Sequence, residues 1–282
     1  MLFTFLIWLV NKKTLLKDAA KFTKAEYRYD ALGRHTEKQV WRRHARKPER
    51  TQYAWSGLQM VGETSDSHPD AAVQYIYTED SYEPLARVDS HGEHADIFWY
   101  HTELNGLPDS VTDSNGDTVW RGASSAWGRR LRESAPVEWD TPQNLRFQGQ
   151  YLDRETGLHY NTFRYYDPAA GCYTQMDPIG LLGGLNTYTY VVDPLGWVDP
   201  LGLLPCAKKI HALRTGGKNT ISKLGQKRKR MSCYTLHFPV TRRLRELGRK
   251  MPLVCERKEK WTVLKRAVLT IKIMQLILIR EE

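Results

Sequence analysis

Residues 164–203 read RYYDPAAGCYTQMDPIGLLGGLNTYTYVVDPLGWVDPLGL and hold four Asp-Pro steps, at Asp167, Asp177, Asp193 and Asp199. The last three stand in the frame Asp-Pro-x-Gly, over residues 177–180, 193–196 and 199–202. On its own, such a frame builds a tight turn: Asp accepts from nearby backbone N–H groups, Pro presets φ and Gly turns the chain. Aspartate is also a residue type of acid–base chemistry, and here the spacing carries information. Between the frames that begin at Asp177 and Asp199 lies a spacer of 18 residues, 181–198. The frame of Asp193 ends in Trp197 rather than Leu, which suits a turn before a boundary. Arg164 and Asp167 offer a pair that could orient a site, or equally an Arg–Asp pair that stabilises a strand end. His159 reads as a strand surface residue.

The elements around these aspartates read as strands. In YRYDALGR, residues 27–34, alternating Tyr27 and Tyr29 run into Asp30-Ala31-Leu32-Gly33, a strand entering a turn. The next strand covers residues 34–42, with Thr36, Lys38, Val40 and Arg42 alternating. Short aromatic stretches followed by turn signals recur at Tyr53, Tyr75, Val88, Phe98, Val111 and Val119, about every 10–20 residues. Residues 145–147 and 150–153 continue the pattern, and after the turn at Glu155-Thr156-Gly157 a strand is expected over residues 158–166. No helical period appears. The fold class is therefore mainly β, an antiparallel array of hairpins. Tyr-rich strands suit it, because their rings bury apolar area while their hydroxyls find hydrogen-bond partners.

At about Leu203 the composition breaks. Residues 204–282 carry 11 Lys and 10 Arg against five Glu and no Asp, a net of +16. Residues 1–203 then carry a net of −6 out of the overall +10. Only one of 15 Tyr (Tyr234) and one of nine Trp (Trp261) lie in the tail. Two units are implied, divided as a leader over 1–24, hairpins over 25–144, a boundary-bearing segment over 145–203 and a basic tail over 204–282. In the tail, residues 204–231 read as a basic arm and 241–250 as a short basic helix, while 261–280 fit helix and strand alike. No membrane span is expected there or in the apolar opening MLFTFLIWLV, which is short of the roughly 20 residues needed. That opening lacks the charge order and cleavage site of a secretory signal. It reads as a buried or membrane-surface helix, or as a non-native start on a truncated gene. The second is preferred, because the pattern from Tyr27 is entered midway. Cys172, Cys206, Cys233 and Cys255 form no CxxC pair, so neither a structural zinc site nor any other metal or cofactor is expected.

YRYDALGR resembles the repeat of the rearrangement-hotspot (Rhs) and YD-repeat proteins. Residues 145–191 resemble the repeat-associated core that closes such proteins, and PLGWVDPLGL, residues 194–203, is similar to the boundary that ends it. The resemblance covers roughly residues 25–203. It implies hairpins wound into a hollow β shell around a variable C-terminal toxin, with full-length members exported or cell-surface. It implies aspartyl self-cleavage at the boundary, with Asp177 and Asp199 as the catalytic pair, Arg164 and Asp193 in support, and the bond between Leu203 and Leu204 as the one cut. The substrate would be the chain's own C-terminal tip, and an immunity protein and a secretion apparatus would be further partners. Two features depart from the pattern. The family's Gly-Arg-Phe is here Gly171-Cys172-Tyr173, and the repeat region is too short to enclose anything, so the chain resembles the end of such a protein.

The tail has the charge of a nuclease or other nucleic-acid binder. His211 and His237 have no acidic cluster near them in sequence, and the run Lys227-Arg228-Lys229-Arg230 reads equally as a solvated arm. An out-of-frame or decayed tail fits as well as a working toxin. Two other functions stand beside self-cleavage: a structural or binding module whose Asp-Pro frames are turns only, and a basic nuclease on a vestigial shell.

Overall fold

A computed structural model describes residues 20–135 and 141–207. The expectations placed on 1–19 and 208–282, including the opening helix and the basic tail after Ala207, lie outside the described residues.

Ten strands form one antiparallel sheet in which every strand pairs with its neighbour in sequence. They are β1 Phe22–Tyr29, β2 His35–Arg42, β3 Glu49–Ser56, β4 Gln59–Ser65, β5 His68–Tyr77, β6 Pro84–His91, β7 His94–Thr102, β8 Pro108–Thr112, β9 Thr118–Ser124 and β10 Arg130–Ser134. The turns explain this up-and-down order. Asp30 accepts from the N–H of Leu32 and Arg34 at 2.9 and 3.0 Å, and Gly33 takes φ 78°. Asp113 does the same for Asn115 and Asp117, both at 2.9 Å, with Gly116 at φ 89°. One turn design closes two hairpins far apart in the sheet, as the repeated Asp-x-x-Gly signal implies.

Register lines the aromatic residues up on one face. Tyr53 pairs with Glu63 and Glu63 with Val73, while Tyr100 pairs with Val111 and Val111 with Trp120. That face buries Tyr53, Met60, Val73, Tyr75, Tyr100, Val111 and Trp120 against Leu145 and Tyr151. The segment that follows the sheet thus folds back over it.

This segment forms a second, four-stranded antiparallel sheet: β11 Tyr151–Asp153, β12 Leu158–Asn161, β13 Arg164–Asp167 and β14 Cys172–Tyr173. A two-stranded pair, β15 Trp197–Val198 and β16 Cys206–Ala207, closes the described chain. The single strand expected over 158–166 is two strands. Thr162, at φ 51°, breaks the run and returns β13 against β12 with Asn161 opposite Arg164. His159 is not a surface residue. It is 2% exposed, and its ring meets Gln150 Oε1 at 2.8 Å through Nδ1, because β12 turns Tyr160 to His35 and Trp55 of the large sheet and His159 to Tyr166 and Gln150 of its own segment. Residues 145–147 make only an isolated bridge from Leu145 to Tyr151.

The seam between the two sheets is polar and buried. Lys38 of β2 reaches Asp153 Oδ1 at 3.2 Å and Glu155 Oε2 at 3.4 Å. Tyr27 donates to Glu155 at 2.6 Å, Tyr151 donates to Glu63 at 2.6 Å, and Tyr75 donates to Glu63 as well. A second apolar cluster of Leu107, Phe147, Tyr166, Tyr173, Tyr190 and Val191 lies under the Asp-Pro stretch.

Candidate active site at the Asp-Pro boundary

All four Asp-Pro aspartates make turns. Each accepts backbone N–H bonds through Oδ1: Asp167 from Ala169 at 2.8 Å, Asp177 from Ile179 at 3.0 Å, Asp193 from Leu195 at 3.0 Å and Asp199 from Leu203 at 2.9 Å. What separates them is the other oxygen. Asp177 Oδ2 lies 3.1 Å and Asp199 Oδ2 3.4 Å from the same nitrogen, Arg164 Nη2. Asp167 and Asp193 make no such contact in the structure. Asp193 is exposed and sits on its own turn, and Asp167 does not pair with Arg164.

Arg164, at the start of β13, is 2% exposed and fully committed. Its Nε donates to the carbonyl of Gly202 at 2.6 Å, its Nη1 to the carbonyl of Thr187 at 2.9 Å, and its guanidinium stacks 3.7 Å above the Tyr173 ring. It thereby ties together the frame of Asp177, the spacer and the boundary turn. Two residues that the sequence did not mark complete the cradle. Tyr173 donates to Asp199 Oδ2 at 3.1 Å, and Asn161 donates to the Tyr173 hydroxyl at 2.8 Å and to the Asp199 carbonyl at 2.9 Å. The one available signal was indirect: Tyr173 ends the triplet that departs from the family pattern, whereas Asn161 meets Arg164 only because the expected single strand is two.

The boundary bond lies inside this cradle. Asp199 Oδ1 accepts from the N–H of Leu203 at 2.9 Å and from that of Leu204 at 3.2 Å. Gly202 takes φ 70°, and a β-carbon there would stand 2.8 Å from the Asn161 carbonyl oxygen, so the boundary glycine is required twice over. On the far side the chain is held extended by the pairing of Trp197 with Ala207 and Val198 with Cys206. Asp177 Oδ2 and the Leu203 carbonyl oxygen border the same small space beside Gly183. A β-carbon built on Gly183 would overlap Asp177 Oδ2 and lie 3.2 Å from the Leu203 carbonyl oxygen.

Two carboxylates share one guanidinium in a largely dry site, and both resist ionisation. Burial pushes Asp177 up to about 6, against the opposing pull of Arg164 and the Ile179 N–H, with Asp199 adding to the rise. Burial also raises Asp199, opposed by Arg164, the Leu203 and Leu204 amides and Tyr173. Two carboxyls that both resist ionisation around one guanidinium, one of them on a peptide N–H, have the elements of acid–base attack on that peptide.

A family model described as RHS protein matches residues 97–134, the strands β7 to β10. The chain is 38% identical over 206 residues to double-stranded DNA deaminase toxin A of Burkholderia cenocepacia, covering 66% of this chain and 14% of that protein. The chain belongs to the Rhs family. Other similar proteins are the probable deoxyribonuclease RhsA of Dickeya dadantii, 34% identical over 203 residues (70% of this chain, 14% of that one), and toxin protein Tse5 of Pseudomonas aeruginosa, 34% identical over 220 residues (67% and 16%). This Rhs chain therefore spans about a seventh of the length of these relatives. Its fold is that seen in the crystal structure of TcdB2-TccC3-Cdc42, at a TM-score of 0.53 and 22% identity over 64% of this chain and 9% of that one.

Proposed function

We propose that this Rhs chain is the closing part of a toxin whose core cuts its own backbone between Leu203 and Leu204 and so frees the C-terminal tip. The observation that carries the reading is the bond of Asp199 Oδ1 to the N–H of Leu204, the nitrogen that would leave. Protonated Asp177, on the carbonyl side, hydrogen-bonds the Leu203 oxygen and polarises the carbon. Ionised Asp199 takes a proton from a water as its oxygen bonds to that carbon. In the tetrahedral adduct the Leu204 nitrogen turns pyramidal and inverts, so that its lone pair faces Asp199; Asp199 passes the proton to it, and the C–N bond breaks to leave a Leu203 carboxyl and a Leu204 amine. Arg164 holds both carboxylates and the Gly202 carbonyl in register throughout. The substrate is part of the same chain, so its effective concentration is high and one turnover suffices.

Intact mass of the purified chain tests this. Wild type should yield fragments 1–203 and 204–282, while Asp177→Asn and Asp199→Asn should stay whole. Efficient cutting in either Asn variant would falsify the mechanism. Breaks after Asp rather than after Leu203 would point to acid-labile Asp-Pro bonds instead.

A second activity is supported by the tail's net charge of +16 and by relatives named as a DNA deaminase and deoxyribonucleases. We propose a nucleic-acid target for the freed tip, used against competing bacteria, with an immunity protein and an export apparatus as partners. Degradation or base change of plasmid DNA or of RNA by the cut chain, absent with uncut Asp199→Asn, is the expected result. Equal inactivity of both chains would count against it.

A further inference from the structure

We infer that Gly183 is a positioning residue for the cut: its missing side chain lets the turn after Asp177 lie directly on the Asp177 carboxylate and seat it against the Leu203 carbonyl. The inference rests on the self-cleavage reading above and adds a residue to it.

The glycines of this turn differ in what they need. Gly180 and Gly184 take φ of 60° and 145°, with open space where a β-carbon would stand. They are glycine for the backbone. Gly183 takes φ −76° and ψ −21°, ordinary right-handed values open to any residue. Its requirement is space alone. A β-carbon there would overlap Asp177 Oδ2, lie 3.0 Å from its Cγ and come within 3.2 Å of the Leu203 carbonyl oxygen. The short 3-10 turn Gly180–Leu182 brings it there, closed by the Gly183 N–H on the Gly180 carbonyl at 3.2 Å and anchored by the Gly180 N–H on the Asp177 carbonyl at 2.9 Å.

The groups around the Asp177 carboxylate divide the work. The Ile179 N–H holds Oδ1 and Arg164 holds Oδ2. Asp199 shares that Arg164 nitrogen, and Tyr173 faces Asp199 from below. The Gly183 α-carbon covers a side that no hydrogen bond holds. A methyl there would push the carboxylate off the carbonyl and toward water, breaking the alignment with Arg164 as well. A displacement of that size costs up to about a hundredfold in rate where geometry is critical.

The test compares Gly183→Ala with Gly196→Ala in the full chain. Gly196 is the matched control: it belongs to the neighbouring Asp193 frame, and a β-carbon there meets only Asp193 Oδ2, at 3.4 Å. Cutting is followed by intact mass across pH. Gly183→Ala should cut about a hundredfold more slowly, with its pH limb moved to lower pH as Asp177 gains water, while Gly196→Ala should match wild type. In the uncut Asp199→Asn background, carbon-13 NMR of the aspartate carboxyls should show Asp177 titrating lower once Gly183→Ala is added. Cutting by Gly183→Ala at the wild-type rate and pH would overturn the inference and leave the mechanism standing. Loss of the folded sheet in Gly183→Ala would assign the glycine to the fold and overturn it too. A wild-type chain that stays whole would instead remove the self-cleavage reading itself.

Discussion

Among the described residues, buried carboxyls outnumber their cation at two places. At the seam, Asp153 and Glu155 share Lys38, with Glu63 held beside them by Tyr75 and Tyr151. At the boundary, Asp177 and Asp199 share Arg164. Burial acts alike in both, pushing Asp153 up to about 7 and Asp177 to about 6. The partners differ. Seam carboxylates bond side chains: an ammonium and three tyrosine hydroxyls. Asp199 bonds the two amides that flank the boundary carbonyl. A displaced pKa alone therefore does not mark a reactive site. Under the proposed self-cleavage, contact with the bond to be cut is the additional requirement, and of these two places the boundary makes that contact.

The largest effect expected from this contrast is on rate. Asp199→Asn should slow cutting by about 10²–10⁴-fold, the usual worth of a positioned acid–base group, whereas Asp153→Asn should leave the rate of folded chains unchanged. Time courses by mass, at matched folded fraction, would decide. Equal loss in both variants would mean that the seam belongs to the site. Stability should show the reverse ranking. Lys38→Met leaves two buried carboxylates without their cation, which costs about 3–5 kcal/mol when one partner of a buried pair is removed. Urea unfolding should register that loss, and cutting by the molecules that remain folded should continue.

The part of this contrast that was legible in the sequence is the boundary. Asp, Pro and Gly are strong local punctuators, so four turns and two spaced frames stood out, and the alternating aromatics gave the antiparallel hairpins. Arg164 was visible as a candidate, but its choice of Asp177 and Asp199 over the nearby Asp167 was not. That choice depends on residues 13 and 35 positions away meeting across a fold. Asn161, Tyr173 and Gly183 escaped for a related reason: each acts through a contact that only the fold creates, and the departure at Tyr173 from the family triplet did not say what it touches. The seam was hidden more deeply. Lys38 sits in a polar-looking alternation of Thr36, Lys38, Val40 and Arg42, and only the segment folded back from residue 143 onward buries it. The aromatic pattern likewise could not show that Thr162 splits β12 from β13, since Thr is an ordinary strand residue.

A pH series sharpens the comparison further. Asp153 titrates near 7 in the folded chain against 3.8 for an ordinary aspartate. The folded state thus keeps a proton the unfolded state has lost. Its stabilising share is complete below 3.8 and disappears as pH rises through about 7. Asp177 and Glu63, also raised by burial, act in the same direction. His35 opposes them: burial holds it well below 6.5, so its share is present above that value and is lost as pH falls. In the uncut Asp199→Asn chain, the urea midpoint should fall between about pH 5 and about pH 8, and adding Asp153→Asn should flatten that slope. An unchanged slope would place the seam's charge balance elsewhere.

The smallest effect separates a turn from a site within a single motif. Asp193 shares its frame with Asp177 and Asp199, and it caps its turn in the same way, through the Leu195 N–H at 3.0 Å and the Trp197 N–H on its own carbonyl at 2.9 Å. It lacks the Arg164 contact and lies exposed. Asp193→Ala removes one side-chain hydrogen bond, a loss of about 0.5–1.5 kcal/mol, and leaves the dyad untouched. Thermal unfolding should shift slightly and the cutting rate not at all. If Asp193→Ala slowed cutting as strongly as Asp177→Asn, the guanidinium contact would no longer distinguish the members of this motif. The boundary would then have to be treated as one cooperative turn rather than as a pair of acids around Arg164.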